Sequence, residues 1–186
     1  MIVGLVNPGA MGATIGAALV RSGHEVLWVS KDRSAATLTR AAAAGLTPVD
    51  SLMELAAAAE GVISVCPPHA AREVAEGVLA AGFEGVYVDA NAVAPETARA
   101  LAALVGKGYV DGGIIGPPAL KAGTTRLYLS GTGAATVRNW FDEPVLGVSL
   151  VDERPGSASA LKMCYAGYTK GTSALLLAIR ALAEAE

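Results

Sequence analysis

The sequence has little of what metal sites, disulfide scaffolds and nucleic-acid-binding surfaces need. It contains two Cys, two His and only 5% aromatic residues among 186. Cys66 and Cys164 show neither CxxC nor Cys/His spacing, so we expect no metal site and no disulfide framework. The formal net charge is −3 and no stretch is strongly basic, which argues against a nucleic-acid partner.

Long apolar runs and a charged leader are also lacking. No uninterrupted apolar segment is long enough to span a bilayer, and Met1 leads directly into a predicted strand. We therefore expect a cytoplasmic protein with no membrane partner. The 53% of hydrophobic residues are enough for one substantial core.

The first sixteen residues predict a strand, a tight turn and a helix. The β-branched run 2–6 favours a buried parallel strand, and the following Asn, Pro and Gly residues favour a turn into a helix over about 10–21. At such a junction the free backbone N–H groups and the positive end of the helix dipole point to one place. This arrangement suits a dinucleotide pyrophosphate.

The turn resembles the G-x-G-x-x-G fingerprint but keeps only its last two glycines. Asn can replace the first glycine because it visits the left-handed region more readily than other residues. Gly9 would let the backbone approach phosphate, and Gly12 would let the helix lie close to the strand. Gly-rich turns also occur in α/β proteins that bind no nucleotide. The residues predicted to bind cofactor here are Asn7, Pro8, Gly9, Ala10, Met11 and Gly12.

The end of the second predicted strand, 25–30, bears on the choice of cofactor. In a dinucleotide fold this strand end meets the adenosine ribose, where an acidic residue selects NAD. Ser30, Lys31 and Arg33 could instead hold a 2′-phosphate, which favours NADP, although Asp32 argues the other way. A solvated turn is the alternative interpretation.

The remaining pattern alternates strands and helices without an internal repeat and predicts one mainly parallel, doubly wound α/β domain over residues 1–153. The short segment 46–49 shows no clear helix or strand pattern. Predicted helices cover about 34–44, 52–59, 70–80, 95–105 and 134–141, and predicted strands about 61–65, 85–88, 108–115, 126–130 and 145–151.

Two predicted strand ends carry polar or stiff turn residues, and ligands of open α/β sheets collect at such ends. Cys66, Pro67 and Pro68 follow one strand and are predicted to contact the cofactor. Asn91 follows the next strand and offers a carboxamide donor and acceptor, although turn formation alone would also explain it.

Residues 157–186 have no proline and many apolar side chains, which predicts one long helix of about 45 Å. Such an apolar helix needs a further domain or a second subunit to cover it. Lys162, Thr169 and either Tyr165 or Ala166 share one face by their spacing. A surface lysine whose stem packs on apolar neighbours is the alternative for Lys162.

Four motifs stand in a characteristic order along the chain: Asn7 to Gly12, Asp89 to Arg99, Asp111 to Gly116, and Lys162 to Tyr165. Their order and spacing resemble the 3-hydroxyacid dehydrogenase family, which is related to 6-phosphogluconate dehydrogenase. The resemblance is greatest to its phosphogluconate dehydrogenase-like branch. The resemblance implies a Rossmann-type NAD(P)-binding domain, then an interdomain helix over 154–186 that starts an all-helical domain and builds a homodimer. It further implies that Lys162 is the catalytic general acid/base and that Asn91 lies near nicotinamide and substrate.

Two departures from the family pattern concern the substrate. Ile115 stands where these enzymes usually have a carboxylate-binding serine, and Ala166 stands where they usually have an asparagine. We therefore expect a small-molecule substrate that is more apolar than a short hydroxyacid, or one held by Tyr165 and Thr169, with Ile115 and Gly116 at the substrate site.

The resulting hypothesis is an NADP(H)-dependent oxidoreductase acting on a hydroxyacid-like or more apolar alcohol or carbonyl compound. Two alternatives stay open: an imine reductase, and a non-catalytic nucleotide-binding or dimerisation module. Similar enzymes run roughly another hundred residues. We expect either a truncated chain, inactive as a fragment, or helices supplied from elsewhere.

Overall fold

The computed structural model describes residues 1–185, in which strands and helices alternate for most of the length. The first strand and first helix have the predicted bounds. The strands are β1 (Ile2–Val6), β2 (Glu25–Val29), β3 (Thr47–Val49), β4 (Gly61–Ser64), β5 (Val86–Asp89), β6 (Tyr109–Ile115), β7 (Thr125–Ser130) and β8 (Leu146–Leu150). The helices are α1 (Ala10–Arg21), α2 (Ala35–Ala43), α3 (Leu52–Ala58), α4 (Ala71–Ala80), α5 (Pro95–Val105), α6 (Ala134–Arg138) and α7 (Ser157–Ala185).

The eight strands form one sheet in the order β3-β2-β1-β4-β5-β6-β7-β8. All neighbouring pairs are parallel except β6 and β7, which are antiparallel. The order reverses direction between β1 and β4, which is the switch point where open α/β sheets bind ligands. The prediction of a mainly parallel, doubly wound sheet is confirmed.

Both faces of the sheet are covered by helices, which explains why the strands are apolar runs rather than alternating ones. One core places Ile15 and Leu19 of α1 against Val3 and Leu5 of β1. The opposite core joins α3, α4 and α5 to the other sides of the same strands, with Tyr87 among its residues. This double packing holds the carboxyl ends of β1, β4, β5 and β6 in one row.

Two elements differ from what the sequence predicts. The segment 46–49, to which no element is assigned from sequence, contains the edge strand β3, where Pro48 is tolerated because an edge residue needs no second ladder partner. Helix α6 ends at Arg138 rather than near Phe141, because Trp140 leaves the helix and is buried against Gly61 of β4.

Helix α7 begins in the core and then leaves it. Ala158 and Ser159 are fully buried, and α7 packs on α5, β6 and β7. Every residue from Lys170 to Ala185 is exposed. Among the helices within residues 1–185, none combines the length and the hydropathy that crossing a membrane would require.

Candidate active site

The turn between β1 and α1 has the geometry that an anion-binding helix N-terminus needs. Asn7 adopts a left-handed conformation with φ 66°, and its carbonyl accepts a hydrogen bond from Gly9 N at 2.8 Å. Gly9 is the N-cap and provides no side-chain acceptor, so the first amides of α1 remain available for a ligand. A Cβ at Gly12 would lie 2.5 Å from Asn7 O, which explains the glycine there, whereas a Cβ at Gly9 would meet open space.

A cavity of about 280 Å³ lies beside this turn, on the side of β2. Its walls include Asn7, Val29 and Arg33. Arg33 Nη1 donates to Asn7 Oδ1 at 2.9 Å, so the guanidinium is held against the turn. Ser30 is half-buried and donates to Val49 O at 3.4 Å, while Lys31 is exposed. Of the three residues predicted to hold a 2′-phosphate, only Arg33 lines this cavity.

A second cavity, of about 200 Å³, lies at the carboxyl ends of β4, β5 and β6. It brings together Met11 of the glycine turn with Cys66, Asn91, Ile114 and Lys162. The cavity therefore joins the predicted cofactor-binding turn to the lysine of α7, although they are 151 positions apart in sequence.

Lys162 is half-buried at this cavity. Its Nζ donates to Ile114 O at 2.5 Å, which ties the ammonium group to the end of β6. Burial, and secondarily the positive charge of Lys170, lower the pKa of Lys162 below its ordinary value. A lysine in this environment can change its protonation state closer to neutral pH than a solvated lysine can.

Asn91 is buried, and its side-chain groups bond to the protein. Its Nδ2 donates to Asp89 Oδ2 at 3.1 Å and to Ser64 Oγ at 3.2 Å, and its Oδ1 accepts from Cys66 N at 2.5 Å. These bonds tie the end of β5 to the end of β4. The carboxamide therefore fixes the cavity wall, and its oxygen keeps one lone pair for a ligand.

The residues after β4 form the other wall of the cavity. Cys66 is half-buried, and burial raises the pKa of its thiol, so the thiolate is disfavoured. Pro67 and Pro68 are exposed, and Pro68 begins a short 3₁₀ turn to Ala70 before α4. The stiff turn predicted here is present, and the contacts of these prolines with a cofactor stay a prediction.

Sequence reasoning missed a buried polar row that crosses four strands. Ser64, Asp89, Asp111 and Ser130 are paired in register on β4, β5, β6 and β7, and all four are fully buried. Residues paired across strands share one face of a sheet. The available signal was a polar residue inside or at the end of each of these strands, but only the pairing register shows that the four residues align.

The four residues predicted at the substrate site are not among those lining the Lys162 cavity. Ile115 lines a separate cavity with Arg126 and Gly147. Gly116 has φ 125° and begins the loop to β7. Tyr165 and Thr169 lie further along α7, where Thr169 Oγ1 donates to Tyr165 O at 2.9 Å.

Comparison with known proteins adds a family match. Residues 2–142 match the family described as the NAD binding domain of 6-phosphogluconate dehydrogenase. A sequence relative is the uncharacterized 28.5 kDa protein in the 7S RNA 5′ region of Methanothermus fervidus. It is 28% identical, over 98% of this chain and 71% of that protein.

Solved structures give a similar result. A conserved protein of unknown function, described as structurally similar to 3-hydroxyacid dehydrogenases, is 34% identical with a TM-score of 0.80, over 95% of this chain and 67% of that one. An imine reductase of Streptomyces aurantiacus is 26% identical with a TM-score of 0.71, over 89% of this chain and 60% of that one. The chain thus spans between 60% and 71% of the length of these three proteins.

Proposed function

Because the chain belongs to the family of NAD-binding domains of 6-phosphogluconate dehydrogenase, a family of NAD(P)-dependent oxidoreductases, we propose that it is an NADP(H)-dependent dehydrogenase or reductase with Lys162 as general acid/base. The substrate is a hydroxyacid-like or more apolar alcohol or carbonyl compound. One observation carries the proposal: Lys162, with a lowered pKa, shares a cavity with Met11 of the predicted pyrophosphate-binding turn.

The chain's own residues hold and move the proton in this proposal. Neutral Lys162 takes the proton from a substrate hydroxyl, and protonated Lys162 gives it to a carbonyl oxygen. Its bond to Ile114 O directs the amine to the cavity edge, while Asn91 fixes the facing wall. A bound nicotinamide supplies or accepts the hydride, which is the chemistry that this cofactor contributes.

Replacing Lys162 by Met tests the catalytic role. The variant keeps the apolar stem but has no titrating group, so we expect kcat to fall by about 10²-fold to 10⁴-fold while the Kd of the cofactor stays unchanged. Turnover is measured on panels of hydroxyacids, apolar alcohols and ketones. Lys107→Met, which changes an exposed lysine outside both cavities, is the control. Unchanged turnover in Lys162→Met would remove this mechanism.

The preference for NADP rests on the cavity beside β2. Arg33 is held there by Asn7, which places a permanent cation beside the predicted ribose position. Lys31 and Ser30 precede Arg33 by two and three residues and are included in the proposed 2′-phosphate site, although they do not line this cavity. An arginine at this place favours NADP because it accommodates the 2′-phosphate.

Titration with NADPH and NADH, followed by tryptophan fluorescence, tests this preference. Trp28, a buried residue of β2 two positions before Ser30, is the reporter. We expect NADPH to bind more tightly, and Arg33→Ala to weaken NADPH by about tenfold or more, with little effect on NADH. Arg72→Ala, which removes an exposed arginine paired with Glu76, is the control. Equal affinities for both cofactors in the wild-type protein contradict the preference.

The substrate proposal follows from the two departures in the family pattern. Ile115 and Ala166 replace polar anchors, so a more apolar substrate, or one bound by Tyr165 and Thr169, is favoured. Turnover that is highest with short polar hydroxyacids would count against this substrate proposal.

Imine reduction is a second candidate function, supported by the similarity to the Streptomyces aurantiacus enzyme. Turnover of cyclic imines but not of ketones distinguishes that candidate, and nucleotide binding without any turnover indicates a non-catalytic module.

The domain and assembly proposals concern α7. We propose that residues 1–153 form the cofactor-binding domain and that the interdomain helix predicted over 154–186 begins a helical domain. The structure has α7 from Ser157 to Ala185, and the last position of that prediction, 186, lies outside the described residues. The exposed part of α7 presents large apolar side chains, which we propose are covered in a homodimer by a second copy together with that domain. The exposed apolar residues of this part include Leu175, Leu176, Leu177, Ile179 and Leu182.

A further inference from the structure

We propose that Asp111 is a positioning residue for Lys162: its buried carboxylate fixes the first turn of α7 on β6 and thereby sets where the lysine side chain lies. The inference rests on the proposed acid/base role of Lys162, since only then does that position affect chemistry. Asp111 itself lines neither of the two cavities described above.

The carboxylate of Asp111 has no exposed surface and four hydrogen-bond donors. Its Oδ2 accepts from Gly156 N at 3.0 Å, from Ser159 N at 2.9 Å and from Ser130 Oγ at 3.0 Å. Its Oδ1 accepts from Ser159 Oγ at 2.5 Å. Three of the four bonds come from the start of α7, where a negative charge is stabilised by the helix dipole and the free amides.

A second residue of the buried polar row, Ser130, also bonds to the first turn of α7. Ser130, which pairs with Asp111 across the β6–β7 ladder, donates to Asp111 and accepts from Ala158 N at 3.0 Å. The first turn of α7 is therefore bonded to side chains of two neighbouring strands. Burial makes these charge-assisted bonds strong and leaves no water to replace them.

Close backbone packing between β6 and α7 extends from the first turn of the helix to Lys162. Two residues after Asp111, a Cβ at Gly113 would lie 2.7 Å from Ala158 O and 3.3 Å from Lys162 Cβ. The helix thus lies directly on the strand at this point. Lys162 follows Ser159 by three residues, which is just under one turn, and its Nζ reaches Ile114 O on the same strand.

The test uses Asp111→Asn, which keeps the size of the side chain but removes the charge. An amide presents only one acceptor oxygen, so the bond with Ser159 Oγ survives only if it reverses, with the NH₂ group donating to the hydroxyl. The three donors that share Oδ2 lose the charge that strengthens their bonds. Asp152→Asn is the matched control, because Asp152 also bonds to the start of α7, through Ser157 Oγ at 3.0 Å, but lies outside the buried row. Ser159→Ala removes one bond to Asp111, and it is the test variant if Asp111→Asn does not fold.

The readout is the pKa of Lys162 itself, which needs no substrate. Each folded protein is labelled with trace acetic anhydride between pH 6 and 11, and the peptide carrying Lys162 is quantified against that of the exposed Lys107. We expect the Lys162 midpoint to rise towards the ordinary value of a lysine in Asp111→Asn, which lowers its labelling near pH 8 severalfold relative to Lys107. Ser159→Ala should shift it less, in the same direction, and Asp152→Asn not at all.

The sign of the shift separates positioning from a direct charge effect. Removing a nearby carboxylate lowers the pKa of a lysine, whereas moving the lysine into water raises a pKa that burial had lowered. An unchanged or lowered midpoint in folded Asp111→Asn, or an equal rise in Asp152→Asn, overturns the proposal. If Lys162→Met keeps full turnover, the proposed function fails, while the labelling result still shows whether Asp111 positions the lysine.

Discussion

At the scale of single residues, burial acts in opposite directions on the acid and the base around the candidate site. It lowers the pKa of Lys162 and raises the pKa of Asp89 to about 6. Both shifts favour the neutral form, since a charged group loses hydration when it is buried. The ends of β5 and β6 therefore form a low-dielectric environment, and Asp89 is the residue in which its effect on stability can be measured.

Asp89→Asn should change how the free energy of unfolding depends on pH. The pKa of Asp89 is about 6 in the folded state, whereas a free Asp titrates near 3.9, so between these values the folded state binds more protons. Stability supplied by protonated Asp89 is present below about pH 4 and is lost as the pH rises to 6. We expect the advantage of wild type over the variant to fall by about 2 kcal/mol from pH 4 to 7 in urea denaturation.

Asp152→Asn is the control for this measurement, because its carboxyl is shifted in the other direction. Bonds from Arg154 lower the pKa of Asp152, so its contribution is already complete above about pH 4 and is lost only at lower pH. The difference between wild type and Asp152→Asn should therefore stay flat from pH 5 to 7. A flat difference for Asp89→Asn over the same range would mean that Asp89 titrates as an ordinary carboxyl.

The sequence identified side chains that lie at the candidate site, but it did not identify their hydrogen-bond partners. Asn91 was singled out because it follows a strand end, and it does line the cavity with Lys162. Its amide bonds to Asp89, Ser64 and the backbone of Cys66 instead of standing free. These partners depend on the register between β4 and β5, which a single strand's sequence does not determine.

At the scale of elements, local patterns located most helices and strands because their signals lie within a few residues. β1 and α1 match their predicted bounds, since an apolar run and the turn that follows it both indicate the same boundary. The helix expected to reach Phe141 ends at Arg138, because the burial of Trp140 against Gly61 overrides local helix propensity. The antiparallel β6–β7 pair likewise depends on contacts between elements rather than on local sequence.

The packing of α7 on β6 places Lys162 at the candidate site. Sequence spacing placed Lys162 on a helix face but could not say against which strand that face would lie. The position is decided by Asp111 and Gly113, one through hydrogen bonds and the other by allowing close approach. Both residues belong to the motif Asp111 to Gly116, but their effect depends on α7, which starts more than forty residues later.

At the scale of the whole molecule, stability should be distributed unevenly along the chain. The sheet is packed on both faces, and its central strands are almost fully buried. The last part of α7 has no buried residue from Lys170 to Ala185. Isolated helices of this length are marginal in water, so most of the stability of such a helix has to come from packing.

Hydrogen exchange at two protein concentrations tests both this distribution and the proposed dimer. In dilute solution we expect amides after Lys170 to exchange faster than those of β1, β4 and β5 by several orders of magnitude. If a second copy covers this part of α7, the protection of its amides should rise with protein concentration while that of the sheet stays constant, because association stabilises only the segments that it buries.

A double variant tests whether the exposed apolar face causes this rise. Leu175→Ser combined with Ile179→Ser, two exposed residues one turn apart, should abolish the rise, whereas Leu150→Ser on β8 should not. Protection of α7 that is already high at low concentration and insensitive to these substitutions would mean that the helix is stable without a second copy, and the dimer proposal would fail.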